Sequence, residues 1–508
     1  RQAFAKADFK AADGMCRKLL QLVPNEIRVL RLMARIADRF QYFEFSTSTL
    51  ATCVEARPED AALRLEYAYA LLRNRKYQEA LEQCDKVIDL APERIDAYDL
   101  EAELLYHLGR YDEAIPIYRE LAGVPEKRAL SLLHLGKVLK TVGEVDEATS
   151  CYRQATELEP GLGRSYWELA DLKTYRFSAD EVASMRQLLG KDDTPPLDKV
   201  MIEFALGKAL EDGGDYAESF QHYEAANRGY LQVRPFRYTS QIDRFKSFFT
   251  ADYFADRKDA GIDTAAPIFV VGMPRSGSTL AEQILSCHSL VDATQELDEI
   301  VSIARHIGNP AGTAPGEYPE AMAELSAADV RGLAQRYLDF VHGYRQDAPY
   351  FVDKAPHNFQ HIGLIKTLLP DAKIVDIRRD PMASGWSLFR QFFAESYLFS
   401  YDLETIGKFY NDYVDLMDHW HAVLPDQILT VRYEDLVQDL RGVTERILQY
   451  CGLEFEEACL DFHLNERAVA TPSSEQVRQP LYSDALEHWR NFEPFLGPLK
   501  QAIDANPA

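Results

Sequence analysis

Residues 267–279 read Pro-Ile-Phe-Val-Val-Gly-Met-Pro-Arg-Ser-Gly-Ser-Thr, and this stretch decides the fold of the C-terminal half. An apolar run of strand length meets a Gly/Pro turn, then hydroxyl residues that open a helix; a strand, a tight turn and a helix N-terminus together form a phosphate-cradling loop. A nucleoside-triphosphate loop requires G-x-x-x-x-G-K-[ST], because its lysine neutralises the β- and γ-phosphates. Here Gly272 and Gly277 keep the spacing and Thr279 keeps the hydroxyl, but Ser278 stands at the lysine position and Arg275 lies inside the loop. The loop is built for an anion other than ATP, and a nucleotide kinase is disfavoured.

Unpaired backbone N–H groups at a helix N-terminus, aided by the helix dipole, suit any phosphate or sulfate. Arg275 adds a planar fork for two oxygens, while Ser276, Ser278 and Thr279 add hydroxyl donors. The run Pro-Arg-Ser-Gly-Ser-Thr-Leu resembles the 5′-phosphosulfate loop of sulfotransferases that use 3′-phosphoadenosine 5′-phosphosulfate. It is most similar to the tyrosylprotein sulfotransferase branch, which has Arg-Ser-Gly-Thr-Thr-Leu. The resemblance extends over roughly residues 266–500 and implies an α/β P-loop-like domain with a central parallel sheet.

Further segments agree in order. The family places its catalytic glutamate eight residues after a histidine, and from His288 this spacing reaches Glu296. Phe351-Val352-Asp353-Lys354-Ala355-Pro356 matches the strand that ends in the family's catalytic lysine, which implicates Lys354. Ile374 to Pro381 matches the unit that holds the 3′-phosphate by an arginine and a serine eight residues on, implicating Arg379 and Ser387. Tyr433, in Tyr-Glu-Asp-Leu after the strand from Ile428, is expected to face the adenosine. Residues 473–480 resemble the segment that closes over the nucleotide; Gln479 replaces an expected lysine, and the adjacent Arg478 is the substitute. The resemblance thus implies Glu296, Lys354 and Arg275 as catalytic residues. It implies Gly272, Arg275, Ser276, Gly277, Ser278, Thr279, Arg379, Ser387, Tyr433 and Arg478 as binding residues for the nucleotide co-substrate, with no metal.

Singly, each residue has a plainer reading. Glu296, beside Asp298 and Glu299, fits a solvated first-turn carboxylate. Lys354 beside Asp353 fits an exposed strand-end pair. Arg378-Arg379-Asp380 fits a solvated cluster with Asp380 as an N-cap ahead of Pro381, and Tyr433 fits a half-buried strand-end aromatic. Their common position at strand-to-helix junctions favours the functional reading.

Upstream, prolines at 24, 58, 92, 125, 160, 195 and 235 recur at steps mostly within one residue of 34, the tetratricopeptide period. Residues 74–80, 108–114 and 142–148 superpose at 34-residue shifts, each ending on a small residue, Ala80, Ala114 or Ala148, that lets helices approach closely. Asp8–Ala12 and Asp215–Ser219 mark outer copies, and Tyr42 to Thr49 is a degenerate one. The expected architecture is an all-α tetratricopeptide solenoid over 1–235, a connecting helix and linker over 236–265, and a sulfotransferase domain over 266–508. The repeats are expected to recruit a peptide or protein acceptor, or to build a homodimer.

A chain of 508 residues, 46% apolar, is long enough for at least two cores. Its net charge of −25 argues against nucleic acid or an anionic membrane surface as main partner. No apolar run has the length of a membrane span. The seven cysteines include no C-x-x-C, and Cys16, Cys84 and Cys151 fall near multiples of the repeat period, which points to core packing and a reducing, cytoplasmic setting. Three readings stay open: sulfuryl transfer to tyrosine in a peptide or protein, transfer to a carbohydrate, lipid or small phenol, and a repeat scaffold whose α/β domain only binds nucleotide.

Overall fold

The computed structural model describes residues 9–40, 42–309, 317–346, 348–465, 467–469, 471, 474–479, 481 and 486–505; Asp8, Ser473 and Pro480 of the segments above lie outside them. The chain is an all-α tetratricopeptide repeat region followed by an α/β domain with a central parallel sheet. The repeat turns explain the 34-residue period. Arg75, Gly109 and Gly143 take left-handed φ of 59°, 76° and 96°, two residues before the helices that start at Tyr77, Tyr111 and Val145. This conformation reverses the chain between the helices of a pair. Ala80, Ala114 and Ala148 are fully buried in the helices that follow, as their small size requires.

Packing divides the chain into two compact units, Arg1–Val138 with Arg305–Tyr318, and Leu139–Ala304 with Pro319–Ala508. The division falls well ahead of the expected linker at 236–265, because the later repeat helices share a core with the α/β domain. Phe220, on helix Tyr216–Val233, stacks at 6.2 Å on Trp386 and at 4.9 Å on Phe495. On the same helix, Asn227 Nδ2 donates to the Phe389 carbonyl at 2.8 Å, and Tyr230 packs at 4.3 Å on Tyr401. The connecting segment forms two short helices, Ile242–Phe248 and Ala251–Arg257, where one was expected. Thr250 interrupts it by accepting the Tyr253 amide as an N-cap.

Five strands, β1 (Pro267–Gly272), β2 (Val291–Ala293), β3 (Tyr350–Lys354), β4 (Lys373–Arg378) and β5 (Ile428–Arg432), pair in parallel in the order β2-β3-β1-β4-β5. β1 is buried along its whole length, as expected for an apolar run covered on both faces. Parallel pairing puts every strand's C-terminal end on one edge. The register Val270↔Lys354, Gly272↔Ile377 and Arg378↔Arg432 brings the loop after β1, the lysine of β3 and the arginines after β4 to that edge. The chain crosses from one side of β1 to the other between β3 and β4, and ligands of open α/β sheets bind at such a reversal. Among the described residues, no helix is long and apolar enough to cross a membrane.

Two positions test this packing. A Cβ on Gly363, in helix Ile362–Leu368, would lie 2.6 Å from the buried Phe249 ring of the connecting segment. Gly363→Ala should therefore destabilise the protein by about 1–3 kcal/mol, read from the denaturation midpoint. Asp353 is fully buried in β3, where the Tyr337 hydroxyl donates to it at 2.8 Å, and burial pushes its carboxyl up to about 7. Between about pH 4 and 7 the folded chain keeps a proton that the unfolded chain releases, so this group's contribution to stability falls as pH rises. Asp353→Asn cannot ionise and still accepts from Tyr337. Its stability relative to the parent protein should rise across that window, as followed by denaturation at stepped pH.

Candidate active site

The loop after β1 turns on two glycines. Gly272 has φ of 142°, and a Cβ there would lie 2.5 Å from the Ile377 carbonyl of β4. Gly277 has φ of 102°, and a Cβ would lie 2.3 Å from the Tyr433 ring. Arg275 between them also takes a left-handed φ, 67°, a conformation that costs a non-glycine residue about 1–2 kcal/mol and collects at functional sites. Helix Ser278–Ser286 then starts without a side-chain cap, leaving its first amides to the space ahead of it. Ser276, Ser278 and Thr279 are all buried, and Ser276 Oγ has no hydrogen-bond partner among the described residues.

The unit after β4 closes against this loop. Asp380 caps helix Pro381–Phe389 by accepting the Ala383 amide at 2.8 Å, so the N-cap reading of that aspartate holds. Arg379 Nη1 donates to the Arg275 carbonyl at 3.2 Å, and its guanidinium lies 4.8 Å over the Tyr433 ring. That ring is held between the Gly277 backbone and a cation. Two turns of helix further on, Ser387 Oγ accepts Arg275 Nε at 3.2 Å. A cavity of about 210 Å³ opens here, and its lining includes Arg275, Gly277, Thr279, Arg379, Ser387 and Tyr433. Burial, with Arg390 nearby, lowers Arg275 to about 10, which leaves it charged at neutral pH.

Lys354 is 1% exposed and ion-paired with Glu296, whose side chain is 42% exposed. This replaces the expected exposed pair with Asp353, whose carboxylate turns to Tyr337 on the opposite face of β3. Glu282, buried on the loop helix, lies 3.8 Å from Lys354 Nζ and accepts Arg467 Nη1 at 3.0 Å. Of the carboxylates that follow in sequence, Glu299 is engaged by Arg336 at 2.7 Å, while Glu296 pairs with the lysine. His288 serves the turn before β2: its Nδ1 accepts the Leu290 amide at 3.1 Å, and Nε2 donates to the Glu454 carbonyl at 2.9 Å.

Arg478 does not join the cavity lining. It donates to the carbonyls of Thr141 and Arg467, at 3.1 and 3.0 Å, with its guanidinium against Gly143. The same short 3₁₀ turn sends Gln476 inward, where it accepts Arg275 Nη2 at 3.0 Å. Arg390 and His488 also line the cavity, and the sequence reading passed over both. Arg390 follows Ser387 by three residues, which is helix-face spacing and was the available signal; nothing local marks His488.

Residues 267–457 match the family model described as Sulfotransferase family, and residues 63–173 match that of the Psidin N-terminal tetratricopeptide repeats region. An uncharacterized protein of Aquifex aeolicus is 32% identical over 417 residues, which are 80% of this chain and 54% of that protein. Protein-tyrosine sulfotransferase A of Caenorhabditis elegans is 26% identical over 259 residues, 46% of this chain and 63% of that protein. The chain therefore spans between about half and two thirds of the length of these relatives. The sulfotransferase domain of the Synechococcus PCC 7002 olefin synthase is 23% identical, covers 45% of this chain and 89% of its own, and superposes with a TM-score of 0.34. Residues 267–457 are a sulfotransferase-family domain, carried behind tetratricopeptide repeats on one chain.

Proposed function

We propose that the protein transfers a sulfuryl group from 3′-phosphoadenosine 5′-phosphosulfate to the hydroxyl of tyrosine in a peptide or protein. The observation that carries the reading is the lysine-free loop, whose uncapped helix and orphaned Ser276 hydroxyl meet an arginine-lined cavity at the strand ends. These groups fit the donor. The loop from Ser276 to Thr279, with Arg275, would hold its 5′ side, Arg379 and Ser387 its 3′-phosphate, and Tyr433 its nucleoside. When bound, the nucleotide supplies an activated sulfuryl group with a phosphate as leaving group.

Glu296 is the base that takes the acceptor proton, since its half-exposed carboxylate is reachable from solvent while its partner Lys354 is buried. Lys354 orients that carboxylate and fixes a positive charge beside the loop helix, and Arg275 adds a second, so charge developing between them meets preset cations. The pairing of Glu296 with Lys354 counts against a pure scaffold. The tyrosine acceptor is favoured by the protein-tyrosine sulfotransferases among the relatives, and the repeats provide a surface for recruiting a protein acceptor. Cys16, Cys84 and Cys151 are buried in the repeat helices, in keeping with core packing and with a reducing compartment such as the cytoplasm.

By calorimetry, 3′-phosphoadenosine 5′-phosphate should bind far more tightly than ATP, and without magnesium; equal or magnesium-dependent ATP binding overturns the reading. Arg379→Ala should weaken the 3′-phosphorylated nucleotide by about 1.5–3 kcal/mol and leave adenosine 5′-phosphosulfate little changed.

Glu296→Gln and Lys354→Ala should each lower turnover by about 10²-fold or more, with nucleotide affinity nearly unchanged in the Gln variant. Assays with a tyrosine peptide and a labelled donor read both quantities, and near-normal turnover of Glu296→Gln removes it as the base.

A further inference from the structure

The cavity is not built by the sulfotransferase-family segment alone. Helix Pro196–Asp212 of the repeats ends beside it, and Glu211 on that helix is almost fully buried. Its carboxylate is ion-paired with Arg390, accepts the Tyr223 hydroxyl at 2.8 Å and lies 3.1 Å from His488 Nε2. Arg390 and His488 both line the cavity. The next residue is anchored the same way: Gln391 Nε2 donates to Asp171 Oδ1 at 2.9 Å, and Lys173 Nζ donates to Gln391 Oε1 at 2.9 Å. Burial alone would raise the Glu211 carboxyl, but Arg390 and His488 outweigh it and hold the group at about 2, so it is ionised at any working pH.

We infer that Glu211 is a positioning residue of the nucleotide cavity, supplied by the repeats and acting through Arg390. The inference rests on the donor reading above. Arg390 caps the C-terminal end of helix Pro381–Phe389, three residues after Ser387, and shares the cavity with Arg275 and Arg379. Three guanidiniums repel one another, and an arginine with no carboxylate behind it would swing away from the other two. Glu211 fixes it with two further ties, to Tyr223 on the neighbouring repeat helix and to His488. The nucleotide then meets a cation already in place and spends no binding free energy on ordering it.

The sign of one measurement separates positioning from simple charge balance. Removing a carboxylate near an anion site should tighten binding if only net charge matters, and loosen it if orientation matters. In the whole 508-residue chain, Glu211→Gln should weaken 3′-phosphoadenosine 5′-phosphate at least tenfold by calorimetry and raise the donor KM, with kcat at saturating donor little changed. In an Arg390→Ala background the same substitution should add almost nothing, because its effect runs through the missing arginine. Tyr223→Phe, which removes one hydroxyl and leaves the ring packed, should weaken the nucleotide in the same direction by a smaller factor, and stands in if Glu211→Gln fails to fold. Unchanged or tighter binding in Glu211→Gln, additivity with Arg390→Ala, or no effect of Tyr223→Phe overturns the inference. A parent protein that does not bind the nucleotide sinks the donor reading and the inference together, whereas a binding parent with an unaffected Glu211→Gln sinks the inference alone.

Discussion

The turn at Gly277 exists only because that residue has no side chain: its backbone is left-handed, and the Tyr433 ring occupies the space where a Cβ would be. The rest of the site follows from this approach. It lets β5 deliver Tyr433 against the loop, where the ring supports the Arg379 guanidinium, which in turn donates to the Arg275 carbonyl. Arg275 reaches Ser387 and Gln476 from the same strained position. Loop, the strand-to-helix unit after β4 and the late strand are one assembly, interlocked at the parallel edge, and a shift at any of them is felt by the others.

Charge is handled by burial and pairing. In an acidic chain, Arg275, Arg379 and Arg390 gather around one small cavity at this edge, and buried carboxylates lie behind it. Asp171 and Glu211 come from repeat helices; Glu282 comes from the loop helix itself and steadies the lysine of β3. Each carboxylate is engaged by a cation, as burial of charge demands. The later repeats are therefore part of the domain's core and of its electrostatics, beyond any service they perform for a partner.

Much of this was legible in the sequence, because the features that specify it are local. The 34-residue period follows from a turn geometry repeated at Arg75, Gly109 and Gly143, and the loop is specified by two glycines and a missing lysine within eight residues. Strand ends carrying Lys354 and Arg379 were readable because parallel strands must bring them to one edge. What was missed came from packing and from details of local turns. The linker expected over 236–265 marks where helices give way to strands, but does not reveal that Phe220 stacks on Trp386 across more than a hundred residues of chain. Arg478 was favoured for its charge, yet in a 3₁₀ turn residues two apart face different ways, and Gln476 is the one that turns inward. Glu211 carries no motif and acquires its place only through the packing of two helices.

The cavity also has an optical character. Trp386 and Trp489 both belong to its lining, and the chain has only four tryptophans. Trp386 is buried and stacked at 4.0 Å on Phe492. Half of the protein's indole fluorophores thus sit at this cavity, so the molecule carries its own reporter of whatever enters it, without an added label.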